Sequence, residues 1–110
     1  MNKLPELKEE WGYRKIVVTP ETVGAKSIIF GLAVFESHSK MGAHLHGEHE
    51  EVLFVHKGQG ILFVEGEKYE VNEGDILFIP IGAKHSVDNI SDGELWLVYA
   101  RAPSNEKGPK

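Results

Sequence analysis

Along this chain, apolar residues gather in short runs separated by glycine and charge. Runs rich in Val, Ile and Phe occupy residues 16–18, 28–35, 52–55, 61–64, 76–79 and 95–99. Glycine-bearing breaks fall between them, among them Lys57-Gly58-Gln59-Gly60, Glu65-Gly66-Glu67 and Glu73-Gly74-Asp75. Runs of roughly four to eight residues bounded in this way suit strands better than helices. Glu65-Gly66-Glu67 predicts a hairpin tip joining residues 61–64 to 68–71. About seven strands or more, with tight turns and no helix between them, predict an all-β antiparallel sandwich or barrel. One short helical turn is predicted at residues 5–11, where Leu4, Leu7 and Trp11 would share a side.

The stretches Ile61-Leu62-Phe63-Val64 and Leu95-Trp96-Leu97-Val98 are apolar at every position. An antiparallel strand with one wet face alternates instead, so something must cover the outer face. A second copy of the chain is the most economical cover, which predicts a homodimer. Cover by the N-terminal arm is the alternative.

At 110 residues the chain is long enough for one domain. It divides into an N-terminal arm and first strand (1–24), a β-barrel core (25–102) and a polar tail (103–110) expected to be mobile. Net charge is −5, and no Lys/Arg cluster forms the basic stripe that a phosphate backbone requires, so no nucleic-acid partner is expected. No apolar run approaches the roughly 20 residues of a membrane span, and the opening MNKLPELKEEW lacks the apolar core of a signal peptide. A cytoplasmic protein without membrane contact is the expectation. Asn89-Ile90-Ser91 fits a glycosylation sequon by coincidence on that view. The absence of cysteine removes disulfides, thiol nucleophiles and thiolate metal sites together.

Candidate chemistry is concentrated in HLHGEHEE, residues 44–51, with three histidines and three glutamates. Taken alone, this stretch could be a solvated loop. If residues 43–46 are extended, His44 and His46 project from one face. Glu51 opens the next apolar run and can face the same interior, and His85 follows a Pro80-Ile81-Gly82 turn further along. Three imidazoles and one carboxylate suit Fe, Mn, Ni, Co, Cu or Zn, and their spacing selects none of these.

These residues resemble the cupin family. Its second motif, G-x5-P-x-G-x2-H-x3-N, is matched by Gly74, Pro80, Gly82, His85 and Asn89, and its first by His44, His46, Glu51 and Gly58. The first motif's leading glycine is missing, with His38 at that position, a departure that touches a turn and no ligand. The resemblance implies a double-stranded β-helix (jelly-roll) fold. It also implies one divalent transition metal held by His44, His46, Glu51 and His85. It gives Gly58, Gly74 and Gly82 to turns, and Asn89 is expected to secure a turn rather than a ligand. His38, His49 and His56 match no ligand position and are expected to be loop or surface histidines. Glu50 rivals Glu51. If Glu51 faces inward, Leu53 and Val55 follow it into the core, while Val52 and Phe54 cover the outer face.

The function implied is a small metalloenzyme acting on a small oxygen-rich molecule: a carboxylic acid, enediol or sugar derivative, by dioxygenase, decarboxylase or isomerase chemistry. The alternative is a non-catalytic, metal-containing small-molecule binding or sensory module. No catalytic acid or base is assigned, because Glu48, His49, Glu50 and Lys84 all suit solvated positions. Strand parity resets at each turn, which leaves open which of Phe30, Phe54, Phe63, Phe78 and Trp96 line a cavity. Dinucleotide, zincin and serine-hydrolase motifs are absent.

Overall fold

The computed structural model describes residues 6–18, 24, 26–45 and 49–103, with positions 43–45 as backbone. Among these residues the regular structure is all strand: β1 (Leu7–Glu9), β2 (Gly12–Val18), β3 (Ile29–Phe35), β4 (Ser39–Leu45), β5 (Glu50–Lys57), β6 (Gln59–Val64), β7 (Glu67–Asn72), β8 (Ile76–Ile79), β9 (Lys84–Asn89) and β10 (Leu95–Ala102). They form a six-stranded sheet in the order β1-β2-β3-β10-β5-β8 and a four-stranded sheet in the order β4-β9-β6-β7. Every pairing is antiparallel. This is the expected jelly roll, an all-β fold.

Alternation builds the core. In β5, Glu51, Leu53 and Val55 are buried while Glu50, Val52 and Phe54 are exposed. In β10, Leu95, Leu97, Tyr99 and Arg101 are buried in the same rhythm. Leu62 and Val87 from the four-stranded sheet join this cluster with Phe35 and Ile79. The β6–β7 hairpin turns at Glu65 and Gly66, where the glycine-bearing break predicts it. Gly58, between β5 and β6, has φ +90°, and a Cβ there would strike the Glu94 carbonyl. Only glycine satisfies both conditions.

The helical turn expected at residues 5–11 is not formed at residues 6–11. Leu7 pairs with Arg14 and Glu9 with Gly12, so the segment is a two-stranded ribbon at the sheet edge. Two contacts outweigh the helical spacing of Leu7 and Trp11. Trp11, at the ribbon's turn, stacks on Phe35 with centroids 4.2 Å apart. Gly12 lies so close to the Val34 carbonyl that no side chain fits. The ribbon lengthens the six-stranded sheet at its edge and does not cover its outer face. That face presents Phe30, Val52, Phe54, Ile76 and Phe78 as exposed apolar side chains. Of the expected mobile tail, residues 104–110 lie outside the described residues.

His38 occupies the place of the missing motif glycine with φ +55°, between β3 and β4. Its Nε2 lies 2.7 Å from Asp92 Oδ1, an exposed pair of small energetic weight. The backbone therefore keeps the left-handed conformation that a glycine would favour, and histidine tolerates it. His38→Gly should leave stability within about 0.5 kcal/mol of the parent, while His38→Val should cost about 1–2 kcal/mol. Urea unfolding of both variants checks the ranking, and a neutral valine would contradict it.

Candidate metal centre and its cavity

The strands that carry the candidate ligands are not the apolar ones. β4 and β9 are polar in sequence and pair with each other, and the register sets position 44 directly opposite His85. Glu51 comes from β5 in the facing sheet. His85 is 4% exposed and Glu51 8%. Glu51 Oε1 and His85 Nε2 stand 3.6 Å apart. The two described candidates are thus brought together across the barrel. His46 lies outside the described residues, and of His44 only the backbone position is described.

The separation of the pair fits a shared cation. Donor atoms about 2.0–2.2 Å from one ion, at tetrahedral to octahedral angles, lie roughly 3.0–3.5 Å from one another. His85 Nδ1 lies 3.3 Å from the Ala83 carbonyl. With the proton on Nδ1, that contact fixes the ring and turns the Nε2 lone pair toward the side where Glu51 stands. A cation shared by the two, or a proton on His85, would each compensate the Glu51 carboxylate. Neutral imidazole and carboxylate together suit a borderline divalent ion.

Glu50 points out and Glu51 in, the parity that the Glu51 assignment requires. Asn89 is buried at 1% exposure, and its amide nitrogen lies 2.8–3.1 Å from the carbonyls of Phe35, Glu36 and Gly93. Its Oδ1 accepts from the Ser91 backbone N–H and hydroxyl. It secures a turn, as expected. His38 and His56 are exposed, as expected. His49 departs from the surface expectation: it is buried, with Nδ1 2.9 Å from the Pro103 carbonyl. That contact ties the start of β5 to the end of β10.

Glu51 and His85 open onto a cavity of about 330 Å³ between the two sheets. Its apolar lining includes Trp11, Phe35, Met41, Leu53, Val87 and Leu97, and its polar lining Glu9, Arg14, Tyr99 and Arg101. None of the five aromatic residues weighed from the sequence lines it. Phe30, Phe54 and Phe78 lie on the outer face, whereas Trp11, Phe35 and Tyr99 face the cavity. Arg101 is the direct cross-strand neighbour of Glu51 and is 5% exposed. It escaped the sequence analysis, yet a signal existed. Arg101 has the same strand parity as Leu95, Leu97 and Tyr99, which sets a charge on a buried face. Arg14 is forked onto Glu9 through Nε and Nη2, at 3.0 and 2.7 Å from Glu9 Oε2.

Burial raises the Tyr99 hydroxyl above its ordinary value, and the nearby Arg101 and Arg14 guanidiniums oppose that rise without cancelling it. The phenol therefore stays protonated at neutral pH. Burial likewise opposes the charge on Arg14, and the Glu9 carboxylate and Tyr99 together more than restore it.

Comparison with known proteins supplies the wider setting. The family model described as "Cupin domain" matches residues 31–100. The chain is 30% identical to the polyketide synthase protein CurC of Streptomyces cyaneus over 96 residues, which is 87% of this chain and 62% of that protein. It is 49% identical to an uncharacterised protein of Aquifex aeolicus over 49 residues, 44% of this chain and 40% of the relative. The chain thus spans less than two thirds of either relative's length. A crystal structure described as a predicted oxalate decarboxylase from Thermotoga maritima superposes with a TM-score of 0.82, covering 93% of this chain and 95% of the other at 17% identity.

Proposed function

The chain belongs to the Cupin domain family, and from that premise we propose that His44, His46, Glu51 and His85 hold one divalent transition metal, drawn from Fe, Mn, Ni, Co, Cu and Zn. The observation that carries the proposal is the buried Glu51–His85 pair, 3.6 Å apart at the edge of a cavity. Our reading is a small metalloenzyme acting on an oxygen-rich molecule such as a carboxylic acid, enediol or sugar derivative. The bound ion would supply Lewis-acid polarisation of a substrate oxygen. The chain's own residues do the rest. Leu53, Leu97, Val87 and Met41 exclude water from one side of the bound molecule, and the protonated Tyr99 phenol stands in the same cavity as a neutral donor. Relatives whose names mention a polyketide synthase and oxalate binding support a small-molecule role.

Elemental analysis of protein purified without chelator or affinity metal tests the proposal, with about one ion per chain expected. A metal-free protein that also fails to take up any of the six ions on titration would refute it. A second reading is a metal-containing binding or sensory module. It is favoured by the described cavity lining, in which Glu9 is engaged by Arg14 and no further carboxylate or histidine stands beside Glu51 and His85. Turnover of a panel of small acids, ketones and sugars, with and without dioxygen, separates the two readings.

We further propose a cytoplasmic homodimer joined through the outer face of the six-stranded sheet. Register sets Phe30, Ala100, Val52 and Phe78 in one row across it, with Val98, Phe54 and Ile76 in the next. A contiguous exposed apolar patch of this kind suits an interaction surface. The protein should sediment as a dimer of the 12.3 kDa chain at micromolar concentration, and Phe78→Glu should sediment as monomer. A monomeric parent protein would refute the dimer.

A further inference from the structure

Among the described residues that line the cavity, Glu9 and Arg14 form a charged pair apart from the candidate metal centre, and Arg14 there already holds a carboxylate oxygen. Arg14 presents Nε and Nη2 together, the planar donor edge that suits a carboxylate, and both donate to the single oxygen Oε2 of Glu9 on the short edge strand β1. Both side chains line the cavity and both are about one-third exposed, at 33% and 28%. β1 is three residues long and pairs only with β2, so little holds Glu9 in place. The remaining wall is largely apolar, with the Trp11–Phe35 stack among its members.

Charge bookkeeping points the same way. The described lining carries Arg14 and Arg101 against Glu9 and Glu51, a formal sum of zero with His85 neutral. A divalent ion at Glu51 and His85 would leave the described lining with excess positive charge, which an anionic ligand relieves.

We infer that the cavity takes a monocarboxylate with an apolar body, and that its carboxylate is read by Arg14 in competition with Glu9. This rests on the metal-site reading for its charge argument, and the fork geometry supports it independently. A compact dianion such as oxalate would leave the Trp11, Phe35 and Leu97 walls without contacts. A neutral amide of the same shape would not displace Glu9.

Calorimetric titration with phenylacetate, phenylacetamide and oxalate tests this on the parent chain, Arg14→Gln and Glu9→Gln, each metal-loaded and metal-free. Phenylacetate should bind the parent at least roughly tenfold more tightly than phenylacetamide, the size expected for one charge-assisted hydrogen-bonded contact. Arg14→Gln should abolish that preference with metal content unchanged, and Glu9→Gln should tighten phenylacetate several-fold. Equal binding of acid and amide by the parent, an undiminished preference in Arg14→Gln, weaker binding by Glu9→Gln, tighter binding of oxalate than phenylacetate, or no binding of either phenyl probe would each overturn the inference. An Arg14-dependent preference in a protein that takes up none of the six ions would sink the metal reading alone. One ion per chain without that preference would sink only this inference.

Discussion

His85→Ala should empty the candidate centre. The ring is almost fully buried, its Nδ1 lies by the Ala83 carbonyl, and its Nε2 stands 3.6 Å from Glu51 Oε1. Removing it deletes a donor and leaves the buried Glu51 carboxylate with less compensation. Loss even of a residue supporting a metal ligand typically costs about 10- to 100-fold in affinity, and loss of a ligand itself should cost more. Glu51→Gln, which keeps the shape and removes the charge, should weaken binding by at least that factor. Glu50→Gln and His56→Ala, whose side chains face solvent, should bind as the parent does. Competitive titration with a chelator ranks the four variants, and near-ultraviolet circular dichroism confirms that each is folded. Equal metal retention by all four would show that the ligand assignment is wrong. A reversed ranking of Glu50 and Glu51 would overturn the carboxylate alone.

A comparably large effect is expected on stability from Asn89→Ala. The Asn89 amide nitrogen is shared among three carbonyls, two from the end of β3 and one at Gly93, while its oxygen receives two donors from Ser91. Alanine leaves several of those groups facing a buried void. Each unmet buried polar group costs about 1–3 kcal/mol, so a total near 3–4 kcal/mol is expected after partial relaxation. That is a sizeable share of the roughly 5–15 kcal/mol by which a domain is stable. Asn89→Asp should be no better, because a carboxylate cannot donate to carbonyls. Urea unfolding measures both, and a loss under about 1 kcal/mol for Asn89→Ala would show that water replaces the side chain.

The legible part of the fold was the part governed by burial. Strands β3, β5, β6, β8 and β10 contain apolar runs, one face of each packing into the core, and they stand where the sequence predicts strands. β9 is KHSVDN and β4 is SKMGAHL, without any such run, and both were discernible only through the motif histidines. Parity within one strand was also legible, so Glu51 and Leu53 face inward together. Parity between strands was not, because each turn resets it. For that reason the cavity aromatics proved to be Trp11, Phe35 and Tyr99. The ribbon was misread because Leu4, Leu7 and Trp11 fall at helical spacing, whereas pairing with β2 and the seat of Trp11 on Phe35 decide the outcome.

The family match begins at residue 31, after the ribbon that supplies Glu9, Trp11 and Arg14 to the cavity. Positions 44, 46, 51 and 85 therefore lie inside the matched stretch, and part of the cavity wall lies outside it. A lineage could keep the barrel unchanged and acquire a new ligand through drift in the ribbon alone. Grafting residues 6–18 between relatives would then move ligand preference from one protein to the other and leave the donor set where it was.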